Sequence, residues 1–141
     1  MEKIMKNKNI PQLRFPEFDG EWVEERLERY CKKIASGKSK NNLKGNYDLY
    51  GSTGIIGKTE TFTHNGKYIL IARVGANAGM INMIEGCFGV SDNTLIVDLK
   101  KNINIEFVFL LLQKFKLNRL VFGSGQPLIT GGQLKSLKLN F

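Results

Sequence analysis

Hydrophobic positions along this chain recur on two different periods. Lys67–Arg73 (KYILIAR) and Thr94–Leu99 (TLIVDL) are short, rich in β-branched residues and flanked by turn formers, which predicts two buried strands. Ile34–Ala35, Tyr47–Tyr50, Thr59–Thr63, Met80–Ile84 and Phe88–Val90 predict further short strands. Gly51, Gly54 and Gly57 punctuate a predicted loop around Ile55 and Ile56, and Asn65-Gly66 predicts a tight turn. VGANAGM reads as a loop whose backbone can approach a neighbour closely. LKSLKLN alternates and predicts a last strand.

Between Ile105 and Phe115 the period changes. Ile105, Val108, Leu111 or Leu112, and Phe115 recur at helical spacing, with Asn104 as N-cap, Glu106 in the first turn, and Lys114 and Lys116 at the end. A shorter helix is predicted over Glu24–Tyr30, and FGSGQPLITGGQ reads as a glycine-rich loop. The expectation is an α+β domain of several short, mostly antiparallel strands with one strong buried helix and a short N-terminal helix. The pattern divides the chain into a disordered basic tail, 1–10, and a single domain, 11–141. Residues 11–24 are expected to form an extended lead-in docked by Phe15, Phe18 and Trp22.

Composition narrows the class. A chain of 141 residues with 42% apolar and 24% charged side chains is one ordinary folded domain. Its longest apolar run, Phe107–Leu112, is too short to span a membrane, and no secretory signal opens the chain, so the expected compartment is the cytoplasm. Cys31 and Cys87 are expected to be reduced, mostly buried thiols. With a single histidine, His64, in an expected turn, a zinc site and a hydrolytic triad are both unsupported.

Charge points to a partner. The net charge is +8 with a pI near 9.6, and the excess lies toward the two ends, residues 46–100 being nearly neutral. The sharpest run, Arg29 to Lys44, holds Arg29, Lys32, Lys33, Lys38, Lys40 and Lys44 and no acid, interspersed with Ser36, Gly37, Ser39, Asn41 and Asn42. A solvated loop is the ordinary reading of isolated lysines. Lysine mixed with Asn, Ser and Gly favours a nucleic-acid surface, because short polar side chains and bare backbone can reach phosphates and base edges. In GSTGIIGKT, Gly51 stands one place too early for phosphate-loop spacing and strand character follows, and VGANAG lacks dinucleotide-site spacing. No acidic pair is placed for acid–base work. A binding module is therefore the leading class.

Several segments in order carry a resemblance: LRFPEFDGEW, LYGSTGIIGK, YILIARVGANAGMI, VSDNTLIV, IEFVFLLLQK and GSGQPLITGGQLKSLKL. From about Pro11 to Phe141 the chain resembles a target recognition domain of the DNA specificity subunit of type I restriction–modification systems. The resemblance implies a non-catalytic domain that reads one half of a split double-stranded DNA target. It implies no cofactor in this chain. The methyltransferase and the motor–nuclease subunits of the full complex would use S-adenosylmethionine, ATP and magnesium. The chain stops at Asn140-Phe141, where the family continues into a spacer helix, so weak or absent docking of those partners is expected. The family turn Gly-Thr-Pro is replaced here by KSKNN.

The family fixes no code for reading bases, so the candidate DNA-binding residues rest on chemistry. Lys38, Lys40 and Lys44 are expected at phosphates, Asn41 and Asn42 at adenine edges, and Ser39 at either base. Tyr50, Ser52, Thr53 and Lys58 border the predicted Gly-rich loop, with a core role open for Tyr50. Arg73 is a candidate guanine contact or the partner of Asp92 in an ion pair. Asn77, Ser124 and Gln126 lie in the later loops. Three rivals remain: a protein–protein or decoy module docking on restriction–modification subunits without DNA contact, a small nucleotide-binding enzyme, and a single-stranded RNA binder.

Overall fold

A computed structural model describes residues 23–122 and 127–141. In chain order, β1 (Glu24–Arg26) passes through a 3-10 turn at Leu27–Tyr30 into β2 (Cys31–Ser36). β3 (Tyr47–Gly51), β4 (Gly54–Thr59), β5 (His64–Ala72), β6 (Ile81–Val90) and β7 (Thr94–Leu99) follow. Then come α1 (Ile105–Phe115), a 3-10 turn at Leu117–Leu120, α2 (Gly131–Ser136) and β8 (Lys138–Asn140). β1 pairs with β8. The other six strands form one sheet in the order β2-β7-β5-β6-β3-β4, antiparallel except for β3 beside β6.

Alternation along the central strands builds two cores. Ile69, Ile71, Leu95 and Val97 face one way and are buried with Phe107, Val108 and Leu112 of α1 and Leu134 of α2. The intervening Leu70 and Ile96 face the other way and are buried with Phe88 and Val90 of β6. Each such large side chain withdrawn from water contributes about 1.5–3 kcal/mol before chain entropy is charged against it.

The second core requires a coiled sheet. His64 pairs with Phe88 and Ala72 pairs with Thr94. Flat strands would hold those two ends roughly 26 Å apart, yet the Ser91–Asn93 turn alone joins Val90 to Thr94. The bend lies where Gly66 and Gly86 pair across β5 and β6 at φ 143° and 134°, a region L side chains avoid. Past it, Phe88 and Val90 fold back over Leu70 and Ile96. The segment after β2 closes the coil: Gly37 N–H donates to the Thr94 carbonyl at 3.0 Å, and Ser39 N–H to the Val90 carbonyl at 2.9 Å. At Gly37 a Cβ would stand 2.1 Å from the Val90 oxygen, so only glycine allows this approach.

The α+β class, β7 and α1 agree with the sequence reading; Asn104 caps α1 by accepting the Phe107 N–H at 2.9 Å. Other elements differ. Glu24–Tyr30 is a strand and a 3-10 turn, because Glu24–Arg26 pair with β8. The expected glycine loop at 54–57 is β4, its backbone satisfied by β3. Thr59–Thr63 is not a strand, since β4 ends at Thr59. Asn65-Gly66 bends a strand instead of turning the chain, so His64 lies in β5. Met80–Ile84 and Phe88–Val90 belong mainly to one long strand, β6. Part of LKSLKLN is helical: Thr130 and Gln133 form a reciprocal capping box that starts α2. Cys31 is buried but Cys87 is exposed, and both are free. Phe15, Phe18, Trp22 and the 1–10 tail lie outside the described residues. No described helix is long and apolar enough to cross a membrane.

Candidate nucleic-acid interface

The turn from Ser91 to Thr94 gathers the loops. Its Asn93 side-chain oxygen accepts the hydroxyls of Ser91 and of Thr94, the latter at 3.0 Å, which fixes the turn from within. The Asn93 carbonyl accepts Ser52 Oγ at 3.1 Å and the Arg73 N–H at 3.0 Å. Ser91 N–H donates to the Tyr50 carbonyl, and Ile129 N–H to that of Arg73. This turn thus holds the 37–39 segment, the β3–β4 tip and the loop after β5 at one end of the coil, and Arg73 in turn holds the segment before α2. Sequence reasoning missed Asn93; a short polar residue two places after Ser91, between two buried strands, was the available sign.

The cationic turn lies along the free edge of β4. Asn42 N–H donates to the Lys58 carbonyl at 2.7 Å, and Asn41 Oδ1 accepts the Lys58 N–H at 3.2 Å. Asn42 Oδ1 accepts the Lys44 N–H at 3.0 Å, and Gly45 N–H closes the turn on the Asn42 carbonyl. Ser39 Oγ accepts the Val90 N–H at 3.3 Å. The side-chain oxygens of Ser39, Asn41 and Asn42 therefore hold the loop in shape, and their donor groups are what remains to face a ligand. Lys38, Lys40 and Lys44 are exposed and, among the described residues, lie beyond ion-pair distance of any carboxylate.

Other candidates are more constrained. Lys58 pairs with Asp48 at 2.8 Å. Tyr50 is half-buried, edge-on to Phe88 with ring centroids 5.2 Å apart, so its ring belongs to the second core. Arg73 Nε donates to the backbone carbonyl of Asp92 at 3.1 Å and not to its carboxylate. Thr53 is exposed at the β3–β4 turn. Asn77 lies apart, in a cleft with Gln113, Lys116 and Asn118 near the end of α1. Ser124 and Gln126 lie outside the described residues.

Two clefts flank the Lys38 segment. One, of about 400 Å³, is lined by Lys38 to Asn42 and by Thr59, Glu60, Thr61 and Thr63. The other, of about 360 Å³, is lined by Lys33, Lys38, Thr63, His64, Ile96 and Asp98. In the second, burial holds the His64 imidazole below its ordinary pKa; Asp98 opposes that shift and Lys33 reinforces it. Thr63 Oγ1 lies 2.8 Å from His64 Nδ1.

Residues 21–141 match the type I restriction modification DNA specificity domain, and the chain belongs to that family. It is 33% identical over 93 residues to the EcoprrI type I restriction enzyme specificity subunit of Escherichia coli, covering 66% of this chain and 23% of that subunit. The crystal structure of the type I restriction-modification S subunit from M. genitalium superposes with a TM-score of 0.71 at 18% identity, over 85% of this chain and 34% of that one. The HsdS subunit from Thermoanaerobacter tengcongensis gives 0.63 at 16% identity, over 85% and 33%. At those identities the solved structures speak for the fold. The chain spans less than a quarter of the curated relative and about a third of each solved one.

Proposed function

We propose that this domain is a non-catalytic reader of double-stranded DNA that recognises one half of a bipartite target for a type I restriction–modification complex. The observation that supports it best is the convergence, at and beside the Ser91–Thr94 turn, of the Gly37–Ser39 segment that leads into the Lys40–Lys44 turn, the Ser52–Thr53 tip and Arg73. Lys38, Lys40 and Lys44 meet phosphates and set the register; the amide groups of Asn41 and Asn42 and the guanidinium of Arg73 meet base edges. Methyl transfer and cleavage belong to partner subunits, which would hold S-adenosylmethionine, ATP and magnesium.

The test is selection of duplex oligonucleotides from a random pool, followed by titration at several salt concentrations. Enrichment of a short motif and a log K against log salt slope of about −3, for three or four neutralised phosphates, is expected. Replacing Lys38 and Lys40 together by Ala should weaken all duplexes alike and flatten that slope by about 2. A flat salt response with no motif enriched overturns the proposal.

A further inference from the structure

The β3–β4 ribbon carries two consecutive large aliphatic side chains in solvent: Ile55 is 57% exposed and Ile56 44%. The hairpin register shifts at this point, leaving Ile56 as an extra residue, so the faces of the two side chains are given by their contacts. Ile56 lies against the Cα of Gly51, and Ile55 pairs with Tyr50. Both side chains therefore remain largely in solvent at the end of a ribbon whose turn is tied to the body through Ser52. β4 is also the outermost strand of the sheet, and the cationic turn hydrogen-bonds to it at Lys58 only. Along Gly54–Ile56 no strand pairs with its outer edge among the described residues, while the Asn41 side chain lies against Gly57. An uncovered aliphatic edge invites aggregation unless something covers it.

The surroundings select the occupant. Ser52, in the turn of this ribbon, shares the Asn93 carbonyl with the backbone of Arg73, so the tip and the arginine emerge from one point. Lys58 and the Lys40–Lys44 turn flank the ribbon. Cations beside an aliphatic tip suit a surface with anionic walls and an apolar spot on its floor. The major groove of B-form DNA is such a surface: it admits a two-stranded ribbon, and its floor carries the thymine C5-methyl.

We propose that Ile55 is a specificity contact that packs on a thymine C5-methyl group in the recognised half-site. This rests on the DNA-reading function proposed above and adds a residue and a base to it. Ile56, which lies against Gly51, does not share the role.

The test uses the full chain and the duplex enriched from the random pool. Each thymine in that duplex is replaced in turn by deoxyuridine, which lacks only the methyl. One position should lose about fourfold in affinity, the worth of one buried methyl group. Ile55→Ala should bind the thymine and uracil duplexes equally, while Ile56→Ala should keep the difference. Both positions are exposed, so unchanged thermal unfolding of the two variants serves as the folding control. Equal affinity of the unsubstituted chain for every thymine and uracil pair overturns the proposal, as does a difference that survives in Ile55→Ala. Loss of affinity for a methyltransferase subunit in Ile55→Ala, with duplex discrimination intact, also overturns it and assigns the tip to a protein partner. If no duplex is enriched, the DNA-reading function fails first and separately.

Discussion

Asn41 fastens the cationic turn to the sheet through Lys58: its side-chain oxygen accepts the Lys58 N–H at 3.2 Å, while the Asn42 N–H bonds the Lys58 carbonyl at 2.7 Å. The turn thus borrows the hydrogen-bonding edge of β4 and presents its lysines from a fixed frame. Asn41→Ala should cost about 0.5–1 kcal/mol, since the freed N–H faces water. The clearer readout is amide exchange, which should accelerate at Lys58 and Asn42. Asn41→Asp keeps the accepting oxygen and should restore protection.

The coil makes a second prediction. Gly37→Ala places a methyl 2.1 Å from the Val90 oxygen and should open the closure, costing roughly 3 kcal/mol or more. Gly86→Ala meets open space, so its cost is the positive φ alone, about 1–2 kcal/mol. Urea midpoints should rank the unsubstituted chain above Gly86→Ala and Gly86→Ala above Gly37→Ala. The reverse order would show that the Gly37 approach does not close the coil.

Protonation of His64 should weaken the fold. Its folded-state pKa lies below the ordinary value of 6.5, so the unfolded chain takes up the proton first as pH falls. The stabilisation is complete above about pH 6.5 and is lost as pH drops through the lower, folded value. The effect is modest because the ring is partly solvated. His64→Gln should flatten the dependence of the urea midpoint on pH between 7.5 and 5, once carboxylate titration common to both proteins is subtracted.

The two thiols should differ sharply in reactivity. Burial, reinforced by Asp98, pushes the Cys31 thiol up to about 12, and its Sγ donates to the Leu27 carbonyl at 3.3 Å. Cys87 is exposed in β6. A thiol-specific reagent at pH 8 should label Cys87 quickly and Cys31 only on unfolding. Mass spectrometry of the labelled chain distinguishes the two.

Legibility in the sequence followed the range of the physics involved. TLIVDL became β7 at the expected bounds, and Asn104 capped the helix it preceded, because local pattern and tertiary demand agreed there. Asn65-Gly66 was misread because turn chemistry also serves a bend, and only the partner glycine at 86 decides between them. The loop assigned to Gly51–Gly57 is a ribbon because β3 supplies its hydrogen bonds across the hairpin. At the candidate site, residue types pointed to the cationic turn. That the oxygens of Asn41 and Ser39 face inward was illegible, since their partners lie on β4 and β6. Asn93 joins the β3–β4 tip and the loop after β5 by its backbone carbonyl, a group every residue possesses.

The pairing of β1 with β8 sets Val23 beside Phe141, each donating its N–H to the other's carbonyl, at 3.0 and 2.9 Å, while Phe141 stacks on Tyr30 at 4.0 Å. The two limits of the described domain therefore lie side by side. A unit anchored this way hangs from a single point, like a pendant on a clasp. Changes anywhere between Val23 and Phe141 leave the separation of these two residues unaltered as long as β1 and β8 still pair.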